Sequence, residues 1–323
     1  MKAAVHTRYG PPDVVSIAEV DRPSPGGGDV LVAVHATTVN RTDCAYRAAR
    51  PFFVRAATGL TRPKRTILGT EFAGVVVAAG RDVANFDVGD RVFGYNEGPF
   101  GTHAEFLAVP ADGSIAAMPA DVPFATAAAA TEGAHYALAF IRTAGVEAGQ
   151  DVLVNGATGA IGSAAVQLLK QLGATVTAVC DTANLELVKG LGADEVLDYT
   201  AGELTRHTGG YDAVFDAVGK STFGQCRRLL KPDGGVYLSS ELGPWSQNLL
   251  LPLVTFFRKS KVRFPIPRHD RRMVEKLGSF LASGEFTPVI DRHFALDEIV
   301  AAYEYVETGR KVGNVVVSVV PSG

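Results

Sequence analysis

The chain has 323 residues, which favours two domains, and its 47% hydrophobic and 20% charged residues exclude a largely disordered protein. Its net charge of −3 gives no electrostatic reason to expect a nucleic-acid partner. Glycine is unusually frequent, with 35 residues, and such an excess indicates many tight turns and close approaches of the backbone.

The first part of the chain, residues 1–123, is predicted to be rich in β-strands. Short apolar runs broken by turn residues predict strands at residues 29–35 and 72–80, and a turn followed by a short strand within residues 87–94. After Pro123 the composition changes to an alanine-rich segment that favours helix through residue 141.

From Asp151 onward, strands and helices are predicted to alternate. Between Ile161 and Leu172 the apolar residues recur at helical spacing. Strands are predicted at residues 152–155, 174–180, 195–198, 211–216 and 235–239. Alternation at this pace predicts a parallel sheet wrapped by helices, and thus an α/β fold.

Three glycines lie between the first parallel strand and its helix. Gly156 would form the tight turn, Gly159 would let the backbone approach a pyrophosphate, and Gly162 would let the helix pack closely on the strand. The N-terminus of the helix would add unpaired N–H groups and a positive dipole end. We therefore expect a dinucleotide here, although a glycine turn without a ligand is the alternative.

Asp181 follows the second parallel strand and lies 19 positions after Gly162, close to the spacing of about 20 expected for a ribose-binding acid. Its carboxylate would accept hydrogen bonds from the ribose hydroxyls and repel a 2′-phosphate. The cofactor is therefore predicted to be NAD(P)H, with NADH favoured over NADPH. A solvent-exposed aspartate without a ligand is the alternative.

The chain resembles the zinc-independent medium-chain dehydrogenase/reductases, in the quinone oxidoreductase branch, over essentially its whole length. The resemblance rests on Met1-Lys-Ala3, Val39-Asn-Arg-Thr-Asp43, Leu68-Gly-Thr-Glu-Phe-Ala-Gly74, Gly89-Asp-Arg-Val-Phe-Gly94, the glycine loop, Leu191-Gly-Ala-Asp194, Phe215-Asp-Ala-Val-Gly219 and Gly313-Asn-Val-Val-Val317. It implies a doubly wound Rossmann sheet inserted into a GroES-like, β-rich catalytic domain. The expected domains are residues 1–123 and 267–323 for the catalytic domain and residues 124–266 for the Rossmann domain. The resemblance also implies a homodimer.

Zinc-dependent members of the superfamily provide a comparison at two positions. Asn40 stands where they have the catalytic cysteine, and Thr70 stands where they have a histidine. The cysteine-rich lobe that would follow Gly94 is also missing, so the soft ligands of a zinc site are not where they should be. His103 and Glu105 suggest a metal pair, but a polar face of a strand is the commoner reason for such spacing. No metal is expected.

The reaction class implied by the resemblance is hydride transfer from the nicotinamide to a quinone or to an α,β-unsaturated carbonyl compound. Without a metal, a carbonyl-to-alcohol conversion lacks its Lewis acid, whereas a conjugated acceptor can delocalise the developing charge. An enoyl-thioester reductase and a non-catalytic NAD(P)H-sensing protein are the alternatives. A short-chain dehydrogenase is excluded, because no tyrosine has a lysine four residues later.

Four residues are predicted to carry the chemistry. The resemblance implies that Asn40 and Asp43 face the nicotinamide pocket, and Tyr46 lies three residues further on, where its phenol could donate a hydrogen bond or a proton. Asn40 and Asp43 are also good helix caps, which is the structural alternative. His135 replaces a threonine of many relatives and is a candidate proton donor, or else a structural histidine.

The predicted cofactor-binding residues come from the glycine loop, from strand ends and from the resemblance. They are Thr158, Gly159, Ala160, Ile161, Gly162, Asp181, Tyr199, Val218, Gly219, Ser239 and Asn314. Tyr95, Phe100 and Trp245 are candidate walls of the substrate pocket.

The compartment is predicted from the cysteines and the apolar segments. Cys44, Cys180 and Cys226 are widely spaced and leave one over from any disulfide, which is typical of a reducing compartment. The first residues show no secretory signal, and the apolar residues 249–257 are interrupted by Pro252 and too few for a membrane helix of about 20 residues. A cytoplasmic protein without a membrane partner is expected.

Overall fold

A computed structural model describes residues 1–52, 54–240, 252, 255 and 261–319 of the chain. Trp245 and most of the apolar residues 249–257 lie outside the described residues. Within that part of the chain, no helix combines the length and the apolar composition needed to cross a bilayer.

The strands and helices of the described residues have the following bounds. The strands are β1 (Lys2–His6), β2 (Val15–Glu19), β3 (Asp29–Val39), β4 (Glu71–Ala79), β5 (Arg91–Tyr95), β6 (Phe106–Pro110), β7 (Ile115–Ala117), β8 (Asp151–Asn155), β9 (Thr175–Cys180), β10 (Glu195–Asp198), β11 (Ala213–Asp216), β12 (Val236–Ser239), β13 (Lys261–Arg263), β14 (Ile290–Ala295) and β15 (Asn314–Ser318). The helices are α1 (Arg41–Ala48), α2 (Val54–Thr58), α3 (Phe124–Ala129), α4 (Glu132–Ala144), α5 (Ala160–Gln171), α6 (Leu185–Gly190), α7 (Glu203–Arg206), α8 (Phe223–Cys226), α9 (Arg271–Ser283) and α10 (Ile299–Glu307).

The chain forms two compact units. The first contains Met1–Glu132 and His269–Gly323, and the second contains Gly133–Arg268. In sequence terms, the second unit is inserted into the first.

The first unit is built on a mainly antiparallel sheet. Among the described residues its strand order is β14-β15-β3-β4-β5-β7, with β6 also paired to β3. Near the end of the chain, β15 pairs antiparallel with β3, Val317 lying opposite Thr37. Both parts of the chain therefore contribute to one sheet, and its core includes Phe72, Val92, Ile299 and Val315.

The second unit is built on a parallel sheet whose order, among the described residues, is β10-β9-β8-β11-β12-β13. Numbered from its own first strand, this is the 3-2-1-4-5-6 order of a doubly wound dinucleotide-binding sheet. The direction of winding reverses between β8 and β11, which is where such sheets bind ligands. The α/β fold class predicted from the sequence is therefore confirmed.

The central strand β8 shows why this sheet is parallel. Val152, Leu153 and Val154 are all buried, and a continuous apolar run fits a strand covered on both faces. The following helix α5 buries Ala165, Leu169 and neighbouring residues of one stripe, as the helical spacing predicts.

The alanine-rich segment after Pro123 forms two helices rather than one. Helix α3 ends before Thr131, and α4 begins at Glu132. The Thr131 hydroxyl and the Glu132 N–H both donate to Oε1 of Glu71, at 2.8 and 2.6 Å. The break therefore allows a buried carboxylate to cap the start of α4.

Candidate functional site

The glycine loop after β8 has the backbone geometry that its sequence predicts. Gly156 has a φ of +82°, where a side chain would be strained, and a Cβ there would lie 2.8 Å from the Cβ of Val218. A Cβ on Gly162 would lie 2.1 Å from the carbonyl oxygen of Gly156. Glycine is therefore required at these two positions for the loop, α5 and the turn after β11 to pack together.

Gly159 differs from its two neighbours in the motif. It is the N-cap of α5, with an ordinary φ of −71°, and no side chain caps the helix. A Cβ built on it would be 3.6 Å from the nearest atom of the protein, which is an ordinary contact. Packing therefore does not require glycine here, and its approach to a pyrophosphate stays a prediction.

Asp181 lies at the carboxyl end of β9, next to the end of β10. Its Oδ1 accepts a hydrogen bond of 2.6 Å from Nδ2 of Asn184, and its Oδ2 accepts none from the described residues. The N–H of Tyr199 donates to the carbonyl of Cys180, so Tyr199 lies beside this strand end, and 56% of its side chain is exposed. An acid and an aromatic ring are thus available at the position where a doubly wound sheet binds the adenosine half of a dinucleotide.

The turn after β11 is organised by Asp216, which is fully buried. Its Oδ1 accepts hydrogen bonds from the N–H of Gly219 at 3.0 Å and from Nδ2 of Asn155 at 3.2 Å. Its Oδ2 accepts from the N–H of Ser221 at 3.0 Å and from the Tyr237 hydroxyl at 3.1 Å. Asp216 therefore joins the end of β8 to the Val218-Gly219 turn across the point where winding reverses.

Asp216 belongs to one of the motifs that carry the family resemblance, and the motif alone assigns it no role. The signal was present, because an aspartate that ends an apolar strand and precedes a glycine turn needs buried donors. Ser239 is buried on β12 and pairs with Asp216 in register, so it belongs to the same strand-end cluster.

These observations fit a nicotinamide dinucleotide. The loop of Thr158, Gly159, Ala160 and Ile161 is partly exposed at the start of α5, between the ends of β8 and β11. Backbone N–H groups and a helix dipole suit a pyrophosphate, and Asp181 suits a ribose. Of the predicted cofactor residues, all except Asn314 lie in the second unit.

Asn314 lies in the first unit, at the start of β15. Its Nδ2 donates to the carbonyl of Val289 at 3.0 Å, and its backbone N–H donates to the same carbonyl at 2.8 Å. In the structure this side chain thus holds the backbone at the start of the last strand.

Asn40 and Asp43 form a reciprocal cap at the start of α1. The Asn40 side chain accepts from the N–H of Asp43 at 2.9 Å, and Oδ2 of Asp43 accepts from the N–H of Asn40 at 3.1 Å. Oδ1 of Asp43 accepts from the N–H of Gly69, also at 3.1 Å. Both residues are buried. Their hydrogen bonds hold the first turn of α1 against the segment before β4.

Asn40 and Thr70 are the two residues that the resemblance places at the ligand positions of zinc-dependent members. Nδ2 of Asn40 donates to Oγ1 of Thr70 at 2.8 Å, so these side chains satisfy each other by hydrogen bonding. Across the residues that the structure describes, no group of three or more His, Cys, Asp and Glu side chains is arranged to hold a metal ion. His103 and Glu105 instead bind the backbone: Nε2 of His103 lies 2.8 Å from the carbonyl of Thr38, and Oε2 of Glu105 accepts from the N–H of Lys2.

Glu71 is a buried carboxylate that sequence reasoning did not single out. The Thr38 hydroxyl donates to its Oε2, and its Oε1 receives the two hydrogen bonds that begin α4. Oε1 of Glu132 accepts from the Thr42 hydroxyl at 2.6 Å. Three acids, Asp43, Glu71 and Glu132, are thus buried in one region of the first unit.

Burial dominates the electrostatics of this cluster. It raises the pKa of Asp43 to about 8, raises that of Glu71, and raises that of Glu132 well above its usual range, helped there by the charge of Glu71. Burial also lowers the pKa of the Lys311 ammonium, although Glu132 and Glu71 oppose this effect. The cluster therefore retains protons more strongly than exposed carboxylates would.

Tyr46 lies on α1, is half-buried and packs against Phe100 with 4.6 Å between ring centroids. Burial raises the pKa of its phenol, and the charge of Glu97 adds to the effect. Both rings line a cavity of about 330 Å³ in the first unit. Tyr95, which was also predicted to form a pocket wall, does not line this cavity, and its ring is stacked on that of His269.

His135 is buried on α4 in the second unit, with its ring centroid 4.7 Å from that of Tyr136. The other three predicted catalytic residues lie in the first unit. The structure brings Asn40 and Asp43 into contact and places Tyr46 one helical turn beyond them.

Comparisons with known proteins agree with this architecture. Residues 26–120 match the alcohol dehydrogenase GroES-like domain family, and residues 191–317 match the zinc-binding dehydrogenase family. The chain is similar to 2-methylene-furan-3-one reductase of Solanum lycopersicum, with 33% identity over 99% of this chain and 80% of the relative. It is also similar to the chloroplastic NADPH-dependent alkenal/one oxidoreductase of Arabidopsis thaliana, with 32% identity and the same coverage.

Among solved structures, the quinone oxidoreductase of Coxiella burnetii superposes with a TM-score of 0.89. The two sequences are 28% identical, and the match covers 99% of each chain. Together with the strand order and the glycine loop, these similarities show that the chain belongs to the medium-chain dehydrogenase/reductase superfamily, in its quinone oxidoreductase-like branch.

Proposed function

We propose that this protein is an NAD(P)H-dependent reductase that transfers a hydride to a quinone or to an α,β-unsaturated carbonyl compound. The observation that carries the proposal is the glycine loop at the point where the parallel sheet reverses its winding. Relatives named as reductases of an alkenal or enone, and a structural neighbour named as a quinone oxidoreductase, support the same reaction class.

Asp181 favours NADH as the cofactor in this proposal. A carboxylate with one oxygen already bound by Asn184 and the other available can accept hydrogen bonds from ribose hydroxyls. A 2′-phosphate at the same place would meet a negative charge. The Arabidopsis relative is named as NADPH-dependent. The binding of NADH and NADPH should therefore be compared in variants of Asp181.

Tyr46 is the proposed polar contact of the acceptor. When bound, the nicotinamide supplies the hydride. Negative charge then develops on the carbonyl oxygen of the acceptor, and a neutral phenol can donate a hydrogen bond to that oxygen. Because burial raises its pKa, Tyr46 keeps its proton at neutral pH. The cap formed by Asn40 and Asp43 would orient the helix that carries this phenol, and His135 remains a proposed proton donor.

The test is steady-state oxidation of NADH and NADPH with small quinones and enones, followed by absorbance of the reduced nicotinamide. We expect turnover with at least one acceptor class, and a loss of about 10²-fold or less in kcat for Tyr46→Phe, the lower end of general-acid effects. Cofactor binding without turnover of any acceptor would contradict the reductase proposal and favour a cofactor-sensing protein. Turnover confined to enoyl thioesters would instead favour an enoyl-thioester reductase.

The homodimer and the cytoplasmic location are also proposals. Both rest on the sequence: the first on the family resemblance, and the second on three cysteines, which are buried and free of disulfides in the structure. Sedimentation of the purified protein would test the dimer.

A further inference from the structure

The cavity beside Tyr46 has the size of a small-molecule site. Its volume of about 330 Å³ lies within the range of roughly 300–1,000 Å³ that ligand pockets occupy. Aromatic and apolar side chains form much of its wall, including Tyr9, Tyr46, Leu68 and Phe100. Such a wall suits the flat, conjugated part of an acceptor.

Two cations also line this cavity, Lys64 and Arg65. Both side chains are exposed, and among the described residues neither takes part in an ion pair. The loop that carries them is held in place, because the N–H of Lys64 donates to the carbonyl of Thr58 at 2.8 Å and Pro63 is buried. The two charges are therefore available to a ligand while their backbone is fixed.

The chain around these cations carries no acidic residue. Between residues 45 and 70 there are six Lys and Arg residues and no Asp or Glu. Arg47 is neutralised by an ion pair with Glu307, and the Arg55 guanidinium lies 5.0 Å from the centroid of the Tyr9 ring. The local charge near the cavity is consequently positive, against a net charge of −3 for the whole chain.

The remaining titratable groups near the cavity include a histidine, His6, and an acid, Glu97, whose charge also acts on Tyr46. His6 contributes no cation at neutral pH, because burial lowers its pKa, and its Nδ1 lies 3.0 Å from the carbonyl of Thr66. Glu97 precedes Gly98 of the cavity wall, but its Oε2 accepts from the Tyr95 hydroxyl at 3.1 Å and lies 3.7 Å from Nε2 of His269.

We propose that this cavity binds the acceptor and selects one that carries an anionic group, a carboxylate or a phosphate, bound by Lys64 and Arg65. This inference rests on the proposed reductase function and adds the substrate class to it. The conjugated part of the acceptor packs against Tyr46 and Phe100, while its anion reaches the two cations at the wall.

The experiment compares matched acceptors in the full-length protein with saturating NADH. The first is an enone with a carboxylate separated from the conjugated system by a short saturated spacer, and the second is its methyl ester. A third carries a phosphate monoester in place of the carboxylate, which distinguishes the two anions. We expect kcat/KM to be about five- to tenfold higher for one or both anions than for the ester at low ionic strength, and to approach equality in high salt.

The variant K64Q/R65Q should lose this preference while retaining activity toward the ester. The matched control is Arg62→Gln, which removes a cation from the same loop but not from the cavity wall, and it should keep the preference. Reduction of the ester with equal or greater efficiency than the anions, or a preference unchanged in K64Q/R65Q, would overturn the inference and leave the reductase function standing. Failure to reduce any of the three, while other enones or small quinones are turned over, would also overturn the inference and leave the reductase function standing. Failure with every acceptor would contradict the reductase function as well.

Discussion

At the scale of single residues, Asp181 carries the sharpest prediction about the cofactor. Replacing it with serine removes the charge that would repel a 2′-phosphate. We expect Asp181→Ser to weaken NADH binding and to strengthen NADPH binding. The ratio of the two dissociation constants should shift about tenfold or more, because one buried or partly buried charge contact contributes about 1–2 kcal/mol.

The measurement is a pair of fluorescence titrations, one with each nucleotide, on the wild type and the variant. The control is the same replacement by serine at Asp198, which lies at the neighbouring strand end. Its carboxylate already accepts hydrogen bonds from Thr182 and Thr200, so this variant should not shift the ratio of the two dissociation constants. Tighter binding of NADPH than of NADH by the wild-type protein would show that the interpretation of Asp181 is wrong.

Asp43 gives a prediction about pH and stability. Burial raises its pKa in the folded protein to about 8, from 3.8 without burial, so the folded state binds this proton more tightly than the unfolded state. The stabilisation is therefore complete below about pH 4 and is lost as the pH rises towards about 8. Asp43→Asn cannot titrate, and its free energy of unfolding should decline less steeply over this window.

Urea denaturation at several pH values would measure both proteins. The other buried acids, Glu71 and Glu132, titrate in both proteins, and because their charges interact with that of Asp43, the difference between the proteins includes this coupling. If the two curves of unfolding free energy against pH run parallel, Asp43 does not titrate with a raised pKa.

Residue roles were predictable from the sequence only where backbone geometry dictates them. The spacing of Gly156 and Gly162 after a strand was enough to anticipate a tight turn and a close helix contact. The role of Glu71 was not predictable, because it receives its hydrogen bonds from several separate segments. For Asp216, the position at the end of an apolar strand indicated a need for buried donors, but not which segments supply them. Asn40 and Asp43 are good caps by type, and the structure shows them capping, while their relation to the nicotinamide stays a prediction.

At the scale of elements, substitutions in the glycine loop can test its packing role and its ligand-binding role separately. Gly162→Ala would place a methyl group 2.1 Å from a backbone oxygen, so α5 must shift. We expect a loss of about 1–3 kcal/mol in the free energy of unfolding, together with weaker cofactor binding. Gly159→Ala meets nothing closer than 3.6 Å and should leave stability nearly unchanged while weakening cofactor binding by itself.

Gly190→Ala is the matched control, because the added methyl group in α6 would meet no atom within 4 Å. It should leave cofactor affinity unchanged and stabilise the protein by up to about 1 kcal/mol, the difference in helix propensity. Thermal unfolding and nucleotide titration of the three variants provide the data. Equal cofactor affinity of Gly159→Ala and the wild type would contradict the assignment of this loop to the pyrophosphate.

The parallel strands were anticipated more closely than the helices. The predicted strand at residues 195–198 coincides with β10, and those at 152–155, 211–216 and 235–239 overlap β8, β11 and β12. Buried strands have short apolar runs bounded by turns, which sequence shows directly. The break between α3 and α4 was not anticipated, because it depends on Glu71, some 60 residues earlier in the chain.

At the scale of the whole molecule, local sequence patterns predicted a parallel sheet but not the order of its strands. Alternating strands and helices predict a parallel sheet, and the resemblance added the inserted arrangement. The pairing of β15 with β3 supplies what no local pattern could, since it joins residues nearly 280 positions apart. The change in composition falls after Pro123, whereas the compact units divide after Glu132, because α3 packs against β3 and β4 of the first unit.

The most direct measurement of reductase function follows a deuterium atom. The protein would be incubated with an enone and with reduced cofactor labelled at C4 of the nicotinamide, on one face or on the other. We predict that one of the two labelled forms, and not the other, places deuterium on the β-carbon of the saturated product, as mass spectrometry and NMR would show. Bound cofactor with no deuterium in any saturated enone product, from either labelled form, together with no oxidation of the cofactor by any quinone tested, would contradict the proposed function.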